Sequence, residues 1–509
     1  MESTGISLKT QILRGTVILA GAGVITRVLG LYNRVFLANT IGAGQMGIYQ
    51  LIFPVFMVCN AICCSGIETA LSRLTAAYAG QGKHGNIRRL VKIAVGISML
   101  LACVLAAGVY VLAGPISIFI LKEPECAGCL KVLAIVIPFS TAHSCILGYF
   151  YGMKQTGVPA VSQLIEQICR VSSIYMLSVS VFTGNEAGAV MAVWGMAAGD
   201  GISCIYTLVS YKFHVYRLQR HLSERHGRTA DRRTLFGQLM GDAIPLTVNR
   251  LSLTMLQSIE SILIPAMLKL YYTASGEAME IYGVVTGMAM PFISFPSTLT
   301  NALASMLLPA VAEAAAKKDY PLVRRAVSKS IHYCLLIGIL SMSIFILFGN
   351  SLGMVFFKDE MAGQFLTIFA FLCPFIYMSG ALASVLNGFG KTRLTLLHNV
   401  LSVGVRILCV VVLVPRMGIS GYFWGMLAGS LLLCGLHTLR IAGICGISFS
   451  AAKSLIFPCI CAAAGGYVSL AVYRYLLSAL AWPQLVVIAI PCLCMAVIYF
   501  LGLAVTRSL

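Results

Sequence analysis

Two arginines lie inside the first hydrophobic segment of this chain, and they restrict what it can fold into more than any other feature. Arg27 and Arg34 are seven residues apart, so in a helix they share one face. The same face carries Thr16, Gly23 and Gly30. An arginine at mid-membrane costs at least ~2.5 kcal/mol, and it cannot discharge itself by losing a proton. Each side chain must therefore face water, a carboxylate or an anionic ligand.

Two interpretations of these arginines are open. In the first, they line a cavity that holds an anionic, phosphorylated headgroup. In the second, Arg34 reaches along the helix to the membrane interface and Arg27 pairs with a buried acid. We favour the cavity for Arg27 and keep both interpretations for Arg34.

The composition indicates an integral membrane protein. Of the 509 residues, 59% are hydrophobic and 10% are charged, and the mean hydropathy is +0.90. Soluble domains do not have such values, and a helix needs about 20 apolar residues to cross a bilayer core. The first apolar run carries Arg27 and is too long for the apolar core of a cleavable signal peptide, so we expect none.

The cysteines and histidines do not indicate a metal or a cofactor. Most of the 18 cysteines fall in apolar segments, where they behave as small apolar residues. Cys126 and Cys129 have C-x-x-C spacing, but two thiols make a poor zinc site, which leaves incidental cysteines or a local disulfide. Four histidines lack metal-ligand spacing and are interpreted as core or interface residues: His143, His332, His398 and His437.

We predict an all-α integral membrane protein with about fourteen transmembrane helices. The predicted spans are 12–36, 46–71, 90–113, 130–151, 158–182, 188–211, 240–268, 282–310, 327–349, 363–387, 395–414, 419–441, 452–474 and 484–505.

The connecting loops alternate in charge. Loops after even-numbered spans are rich in cations: Lys83, Arg88, Arg89, Lys92, Lys154, Lys212, Arg217, Arg220, Arg225, Arg228, Arg232, Arg233, Lys317, Lys318, Arg324, Arg325, Lys329, Lys391, Arg393, Arg440 and Lys453. The other loops hold Glu123, Glu125, Glu186, Glu277, Glu280, Asp359 and Glu360. By the positive-inside rule, the cationic loops and both termini are cytoplasmic. This placement accounts for much of the net charge of +19 without a nucleic-acid partner.

The sequence repeats itself at an offset that preserves helix orientation. A shift of 236 residues superimposes Pro138-Phe139 on Pro374-Phe375 and Arg170 on Arg406, and a shift of 230 superimposes Trp-Gly-Met-Ala-Ala-Gly at 194–199 on Trp-Gly-Met-Leu-Ala-Gly at 424–429. An offset of six spans predicts two parallel six-helix lobes, a pattern typical of alternating access. The predicted domains are an N-terminal lobe, a basic cytoplasmic linker, a C-terminal lobe and two additional helices, at 1–211, 212–236, 237–443 and 444–509.

The second lobe opens with a polar helix of its own. One face carries Thr247, Arg250, Thr254, Gln257 and Ser261, and Asn249, Ser252 and Glu260 widen it. A span this polar must line protein interior or water. Arg250 therefore has the role in this lobe that Arg27 has in the first. The alternative is a hydrogen-bonded helix seam.

The central lining predicted from the sequence holds more cations than acids. The acids within the spans are Glu68, Glu166, Asp200, Asp242 and Glu260. Glu166 and Arg170 have the spacing of an i,i+4 ion pair, which we interpret as structural. The equivalent Arg406 has Ser402 in place of the acid, so it is freer to face a cavity. Glu68 is a candidate partner for Arg27 or Arg34. This balance favours an anionic cargo such as a pyrophosphate.

Several motifs resemble one family. The run from Arg27 to Arg34 (RVLGLYNR) and the Ile-Gly-Ala-Gly run at 41–44 are similar to the opening of the stage V sporulation protein B group, in the multidrug/oligosaccharidyl-lipid/polysaccharide exporter superfamily. Further matching motifs lie at 66–72, 243–250, 282–288 and 306–309. The resemblance runs nearly end to end, and its opening motif also resembles the lipid II flippases.

The resemblance implies export or flipping of an undecaprenyl-diphosphate-linked saccharide. It makes Arg27 the match of an essential cavity arginine in the lipid II flippases. Their second first-helix arginine falls on Asn33, and their span 8 arginine falls near Val285 and Thr286, so the identity of the glycan is left open. It also implies that spans 13 and 14 form a groove for the lipid tail.

These observations combine into one hypothesis. An inward-open cavity with Arg27, Arg34 and Arg250 near its apex binds the diphosphate, and the lobes rock to release it outside. The candidate substrate-binding residues are Arg27, Asn33, Arg34, Glu68, Arg250, Thr254, Gln257, Glu260 and Arg406. We expect a monomer in the cytoplasmic membrane, surrounded by lipid, with no enzymatic activity, no cofactor and no nucleic acid.

Three other functions are distinguishable from this one. A drug or cation antiporter of the same superfamily would need a pocket dominated by carboxylates. An intramembrane glycan polymerase or ligase would need a sizeable external loop with acid and base residues, whereas the external loops here are short. A non-transporting scaffold would have a dry polar seam.

Overall fold

The computed structural model describes residues 8–180, 188–221, 230–274, 276–479, 483–506 and 508, and no strand occurs among them. The side chains of 8–20, 180, 219–221 and 479 are not described. Glu186, Arg225 and Arg228 of the loop-charge pattern and the last two residues of predicted span 5 lie outside this part of the chain, as do the side chains of Thr16 and Arg220. The predicted all-α class is confirmed.

The helices before the middle of the chain are α1 Leu8–Leu51, α2 Phe53–Asn60, α3 Gly66–Gly80, α4 His84–Val111, α5 Ala113–Pro115, α6 Cys126–Gly152, α7 Gly157–Ser180, α8 Gly188–His221 and α9 Arg232–Tyr271. A π-helical segment, Ala61–Ser65, joins α2 to α3, and another, Ile116–Ile120, follows α5. Helix α1 is broken at Gly42, where φ is 77°. Glycine adopts this left-handed conformation without the steric cost of a Cβ, so the chain bends here between predicted spans 1 and 2.

The remaining helices are α10 Glu277–Gly283, α11 Met290–Ser294, α12 Ser297–Ala316, α13 Tyr320–Phe357, α14 Glu360–Phe369, α15 Cys373–Gly388, α16 Thr392–Met417, α17 Ile419–Cys445, α18 Phe457–Ala479 and α19 Gln484–Val505. Short π-helical segments at Val284–Ala289 and Ala452–Ile456 and a 3₁₀ turn at Ala370–Leu372 connect some of them.

Twelve helical stretches of the described chain are long and apolar enough to cross a membrane. One of them, Gly21–Gly80, has 60 residues and includes the break at Gly42. At 1.5 Å per residue its length is about 90 Å, far more than one bilayer crossing requires. Helix α7, which covers predicted span 5, is not among the twelve. The protein is therefore a multi-pass membrane protein, and the number fourteen stays a prediction.

The surface of these helices is apolar. Val505, Tyr467 and Phe119 are 84%, 80% and 77% exposed, and many other large apolar side chains are similarly uncovered. Soluble monomers rarely expose so much apolar surface to water. A lipid environment explains it.

The contacts divide the chain into two compact units, Met1–Ile262 and Leu263–Leu509. The division falls within α9 and not in the basic segment 212–236, where the sequence placed the linker. The predicted lobes at 1–211 and 237–443 and the additional pair at 444–509 stay a prediction.

The repeated Trp-Gly-Met-x-Ala-Gly motif packs one helix closely on the preceding one in each unit. In the first unit, a Cβ added at Gly199 of α8 would lie 2.8 Å from the carbonyl oxygen of Glu166 in α7. In the second, a Cβ at Gly429 of α17 would lie 2.5 Å from Cγ of Arg406 in α16. The motif is thus a small-x-x-x-small packing surface, which lets helix backbones approach closely.

The second unit has a core among α12, α13, α15 and α17, with Val327, Cys334, Val385 and Ile441 fully or almost fully buried. Helices α18 and α19 pack on α13 through a smaller cluster, in which the hydroxyl of Tyr499 donates to the carbonyl oxygen of Leu336 at 2.9 Å. The C-terminal helices are thereby fixed to this unit.

Candidate functional site

The arginine face of α1 divides into an exposed part and a packed part. Arg27 is exposed, whereas Arg34 is half-buried and Asn33 is 6% exposed. Arg34 lies close enough to Tyr49 and Arg170 for electrostatic interaction. Of the two α1 arginines, Arg27 is therefore the one presented outward, and Arg34 belongs to a cluster within the first unit.

That cluster is built around Arg170 of α7. Its Nη2 atom donates to Oε1 of Glu166 at 2.6 Å and to Oδ1 of Asp200 in α8 at 3.0 Å. Only 15% of the Arg170 side chain and 9% of the Asp200 side chain are exposed. The predicted Glu166–Arg170 pair is confirmed, and Asp200 extends it to three members. Two carboxylates therefore face the guanidinium of Arg170, and Arg34 lies close enough to Arg170 to interact with it electrostatically.

Helix α9 runs antiparallel to the π-helix-containing segment α2–α3, and a series of contacts sets their register. A Cβ added at Gly66 would lie 2.5 Å from the carbonyl oxygen of Ala243 and would also collide with Thr247. At one end of this seam, the hydroxyl of Ser258 donates to the carbonyl oxygen of Pro54 at 3.2 Å. The absence of a side chain at Gly66 is what allows the two backbones to meet.

Polar side chains continue the same seam toward the start of α9. Arg73 and Asp242 form an ion pair, and the hydroxyl of Tyr78 donates to the side-chain carbonyl of Gln238. The sequence analysis placed Asp242 within a span but missed both of these contacts, because an antiparallel register between residues 160 or more positions apart has no local signal.

Glu68 and Arg250 lie near each other along this seam. Glu68 is half-buried in α3, Arg250 is exposed on α9, and they are close enough to interact electrostatically. The sequence analysis offered Arg27 or Arg34 as the partner of Glu68 and missed Arg250. The structure therefore brings together two predicted site residues that lie 182 positions apart.

The other predicted residues of α9 differ in exposure. Gln257 is exposed and Thr254 is half-buried, whereas Glu260 is 5% exposed. A dry helix seam would bury Arg250 and Gln257, so their exposure favours an accessible polar face. Glu260 points away from that face into the protein.

Arg406 lies in the second unit and is half-buried. Its Nη1 atom approaches Sδ of Met426 at 3.7 Å, and the hydroxyl of Ser402 donates to the carbonyl oxygen of Gly429 at 2.8 Å. Ser402 therefore occupies the position of Glu166 in the repeat but bonds to backbone.

An apolar cavity of about 290 Å³ lies in the second unit. Aromatic side chains from the α11–α13 region and aliphatic side chains of α19 line it, among them Phe292, Phe345, Phe356, Leu485 and Ile488. It is the kind of surface that accepts a hydrocarbon chain. Span 14, which was predicted to help form a lipid-tail groove, contributes one wall.

Metal-binding clusters are not found in the described part of the chain, where no three His, Cys, Asp or Glu side chains converge. Cys126 and Cys129 are both buried and carry free thiols. The local disulfide considered for this pair is therefore not formed.

Two family models match the chain. The model described as polysaccharide biosynthesis protein matches residues 12–314, and the MatE model matches residues 253–412. The first covers more than half of the 509 residues.

Curated relatives match over most of their length. Stage V sporulation protein B of Bacillus subtilis (strain 168) is 27% identical over 478 residues, which are 92% of this chain and 90% of that protein. The lipid II flippase MurJ of the same organism is 21% identical over 444 residues, or 81% and 79% of the two chains.

Solved structures share the fold. The lipid II flippase MurJ in an inward closed conformation matches with a TM-score of 0.71 at 13% identity, over 96% of this chain and 98% of that one. An inward-facing multidrug resistance MATE family transporter matches with a TM-score of 0.62 at 14% identity, over 82% and 95% of the two chains. The chain belongs to the polysaccharide biosynthesis protein family, within the multidrug/oligosaccharidyl-lipid/polysaccharide exporter superfamily that its motifs predicted.

Proposed function

We propose that this protein is a flippase that moves a lipid-linked saccharide, joined to its lipid through a diphosphate, across the membrane by alternating access. A lipid II flippase is among its relatives and among the solved structures that share its fold. Like these proteins, it is a transporter and not an enzyme. The family supplies the class of cargo, and the arginines supply the chemistry that would bind it.

The observation that carries this proposal is the exposure of two guanidinium groups on membrane helices of one unit. Arg27 on α1 and Arg250 on α9 are both exposed. Placing a cation on a membrane helix costs free energy. Such a side chain is therefore retained where it has a function. A diphosphate carries negative charge on both phosphates, and guanidinium groups bind such oxygens through paired, charge-assisted hydrogen bonds.

Glu68 adjusts this binding surface without cancelling its charge. It lies beside Arg250, and the two α1 and α9 arginines together outnumber it. A carboxylate near a guanidinium favours the rotamers that keep the two groups close, which lowers the conformational entropy lost when an anion binds. Gln257 and Thr254, on the same face of α9, add uncharged hydrogen-bonding groups suited to sugar hydroxyls.

The apolar cavity of the second unit provides a place for hydrocarbon. Its walls of phenylalanine, leucine and isoleucine match a prenyl chain in polarity. A cavity of this kind would accept part of a lipid tail, so that the hydrocarbon does not have to enter water.

The cation antiporter is the alternative that the MATE relatives favour. A probable multidrug resistance protein NorM of Rhizobium meliloti (strain 1021) is 24% identical over 363 residues. A site for cationic drugs needs a net negative lining, and Arg27 and Arg250 oppose it. This is why the anionic cargo is preferred.

The test is transport in proteoliposomes with Arg27→Ala and Arg250→Ala. Each change removes charge-assisted hydrogen bonds to the diphosphate, so we expect flipping to fall by about tenfold or more. A fluorescent polyprenyl-diphosphate saccharide, with quenching of the outer-leaflet label, reports the rate. Arg416→Ala, which removes an exposed arginine from the last turn of α16, is the matched control.

Two results would contradict the proposal. One is unchanged flipping by both the Arg27→Ala and the Arg250→Ala protein, with normal folding of each as judged by thermal melting of the purified proteins. The other is proton-coupled export of a cationic dye by the wild type with no flipping of the saccharide lipid, which would favour the antiporter.

The orientation that we propose follows from the loop charges, and a monomer is proposed with it. The chain acts as a monomer in the cytoplasmic membrane, with both termini and the basic loops in the cytoplasm. A phosphatase reporter fused after Leu509 should be inactive, whereas one inserted after Glu277 should be active. The reverse pattern would invert the direction of every transport assay.

A further inference from the structure

A second basic site lies away from the α1 and α9 arginines described above. A cavity of about 470 Å³ opens at the start of α4, and its lining combines Arg88, Arg89 and Lys92 with Arg232, the first residue of α9. The remaining lining residues are Gly85 and Ile93, so the six residues that form the cavity include four cations and no acid.

This convergence of charge is built by specific contacts. Nη1 of Arg89 donates to the carbonyl oxygen of Ala230 at 3.0 Å, and the N–H of Ala230 donates to Oδ1 of Asn86 at 2.8 Å. These two hydrogen bonds hold the backbone just before α9 against the first turn of α4. They place Arg232 opposite the cations of α4, although the two groups are more than 130 residues apart in sequence.

Topology alone does not explain the arrangement. The positive-inside rule asks only that cations lie on one side of the membrane, and it is satisfied by side chains spread through a loop. Cations drawn into one cavity repel each other unless an anion lies among them. The acid next in sequence, Asp231, uses its carboxylate to accept the N–H of Arg232 at 2.7 Å.

The face of α4 that continues from this cavity is apolar and uncovered. Leu100, Val104 and Val111 follow Ile93 at helical spacing, and they are 68%, 61% and 75% exposed. Gly96 lies between Ile93 and Leu100 on this face, with no atom within 4 Å of where its Cβ would be. The face therefore forms a shallow apolar track that begins at the basic cavity.

We propose that the cavity binds the phosphate of an anionic phospholipid, whose acyl chains lie along this track on α4. A basic pocket at a membrane surface suits the headgroup, and the adjoining apolar face suits the chains, which a free anion would not need. The bound lipid holds the start of α9 to α4. Because α9 also carries Arg250, the lipid stabilises the helix that presents one of the two exposed arginines.

The experiment measures lipid binding to the purified full-length protein by native mass spectrometry, with phosphatidylglycerol as the probe and phosphatidylcholine as the neutral comparison. The variant combines Arg88→Gln, Lys92→Gln and Arg232→Gln, and leaves Arg89 to keep its bond to Ala230. Loss of about fivefold in affinity per charge predicts a decrease on the order of a hundredfold for phosphatidylglycerol.

The matched control removes charge elsewhere on the same predicted side. The combination of Lys318→Gln, Arg325→Gln and Lys329→Gln changes three exposed cations outside the cavity and should leave binding within about twofold of wild type. Equal loss in this control and in the cavity variant would overturn the proposal, because binding would then depend on overall charge.

A second variant separates a lipid from a free anion. Gly96→Leu fills the track without touching the cations, and we expect it to weaken phosphatidylglycerol binding while leaving any binding of inorganic diphosphate unchanged. If inorganic diphosphate binds through Arg88 and Gly96→Leu has no effect on the lipid, the site takes a free anion and the lipid proposal is wrong. Thermal melting of each variant verifies that it is folded.

Discussion

Arg170 and Arg406 occupy equivalent positions of the two sequence repeats, and they have different surroundings. Arg170 is held by Glu166 and Asp200 at 2.6 and 3.0 Å. The equivalent positions in the second repeat are Ser402 and Ser430, at offsets of 236 and 230. Glycines at 199 and 429 nevertheless pack the neighbouring helix against the arginine in the same way. The helix packing is conserved between the repeats, and the charge of the surroundings is not.

The difference separates a structural arginine from a candidate ligand-binding one. In the first unit, two acids satisfy the guanidinium, and ligand binding there would require breaking a largely buried ion pair. In the second unit, Arg406 occupies the equivalent position, and serines occupy the two positions equivalent to the acids. A diphosphate approaching this position would meet a guanidinium whose side chain packs closely against the neighbouring helix at Gly429.

Buried histidines show the same divergence between the units. In the first, His143 of α6 bridges Ser162 and Thr207 at 3.2 and 3.4 Å. The positions equivalent to those two partners are His398 and His437, whose rings are in contact with centroids 5.0 Å apart, and the position of His143 is Ser379. Both units therefore have polar side chains at the same three helix positions, but the identities of the residues differ. The interpretation of these histidines as core residues agrees with their burial.

The largest expected effect is on the stability of the first unit. Arg170→Ala leaves Glu166 and Asp200 as uncompensated carboxylates in a largely buried place, so it should lower the free energy of unfolding by about 3–5 kcal/mol. The measurement is thermal unfolding in detergent, and expression should fall with it. Removing all three charges, as Glu166→Gln, Arg170→Gln and Asp200→Asn, should recover much of the loss. A fully stable Arg170→Ala protein would show that the ion pair is not structural.

An intermediate effect is expected from the packing glycines, and it should differ between the units. An added Cβ at Gly199 meets a backbone oxygen at 2.8 Å, so Gly199→Ala should cost about 1–3 kcal/mol of unfolding free energy. At Gly429 the obstacle is the flexible side chain of Arg406, which can shift, so Gly429→Ala should cost less. Gly201→Ala and Gly435→Ala, with no atom within 4 Å, are the controls for helix propensity. Equal costs at 199 and 429 would break this distinction.

The smallest expected effect is a change in the transport rate, and it tests Arg406 of the second unit. Ser402→Glu places an acid one helical turn before Arg406, as Glu166 is placed before Arg170. If Arg406 contributes to binding the diphosphate, pairing it should reduce flipping by about tenfold, equivalent to about 1.4 kcal/mol. Ser402→Gln has nearly the same size without charge and corrects for crowding at this buried position. Equal transport by the two variants would remove Arg406 from the site.

The sequence predicted what depends on local pattern. Hydropathy identified the membrane class, and i,i+4 spacing identified the Glu166–Arg170 pair. Asp200 was missed as its third member because the contact joins two helices, but a signal was present: both Glu166 and Asp200 become serine in the second repeat. The electrostatic interaction of Glu68 with Arg250 had no such signal, since it depends on the antiparallel register of α3 and α9. The transport roles of the nine candidate residues stay predictions.

Helix α3 packs closely against two neighbouring helices at glycines, where no side chain separates the backbones. The backbone at Glu68 lies where a Cβ on Gly148 of α6 would be only 2.7 Å away, and Gly66 meets the backbone of α9 equally closely. Where backbone packs directly on backbone, one helix cannot slide along the other, because there is no side chain that could make room by changing rotamer. The predicted lobes assign α3 and α6 to residues 1–211 and α9 to residues 237–443. A rocking cycle can therefore keep the Gly148 contact, but it must open the Gly66 contact, and the spacing of Glu68 and Arg250 changes with it.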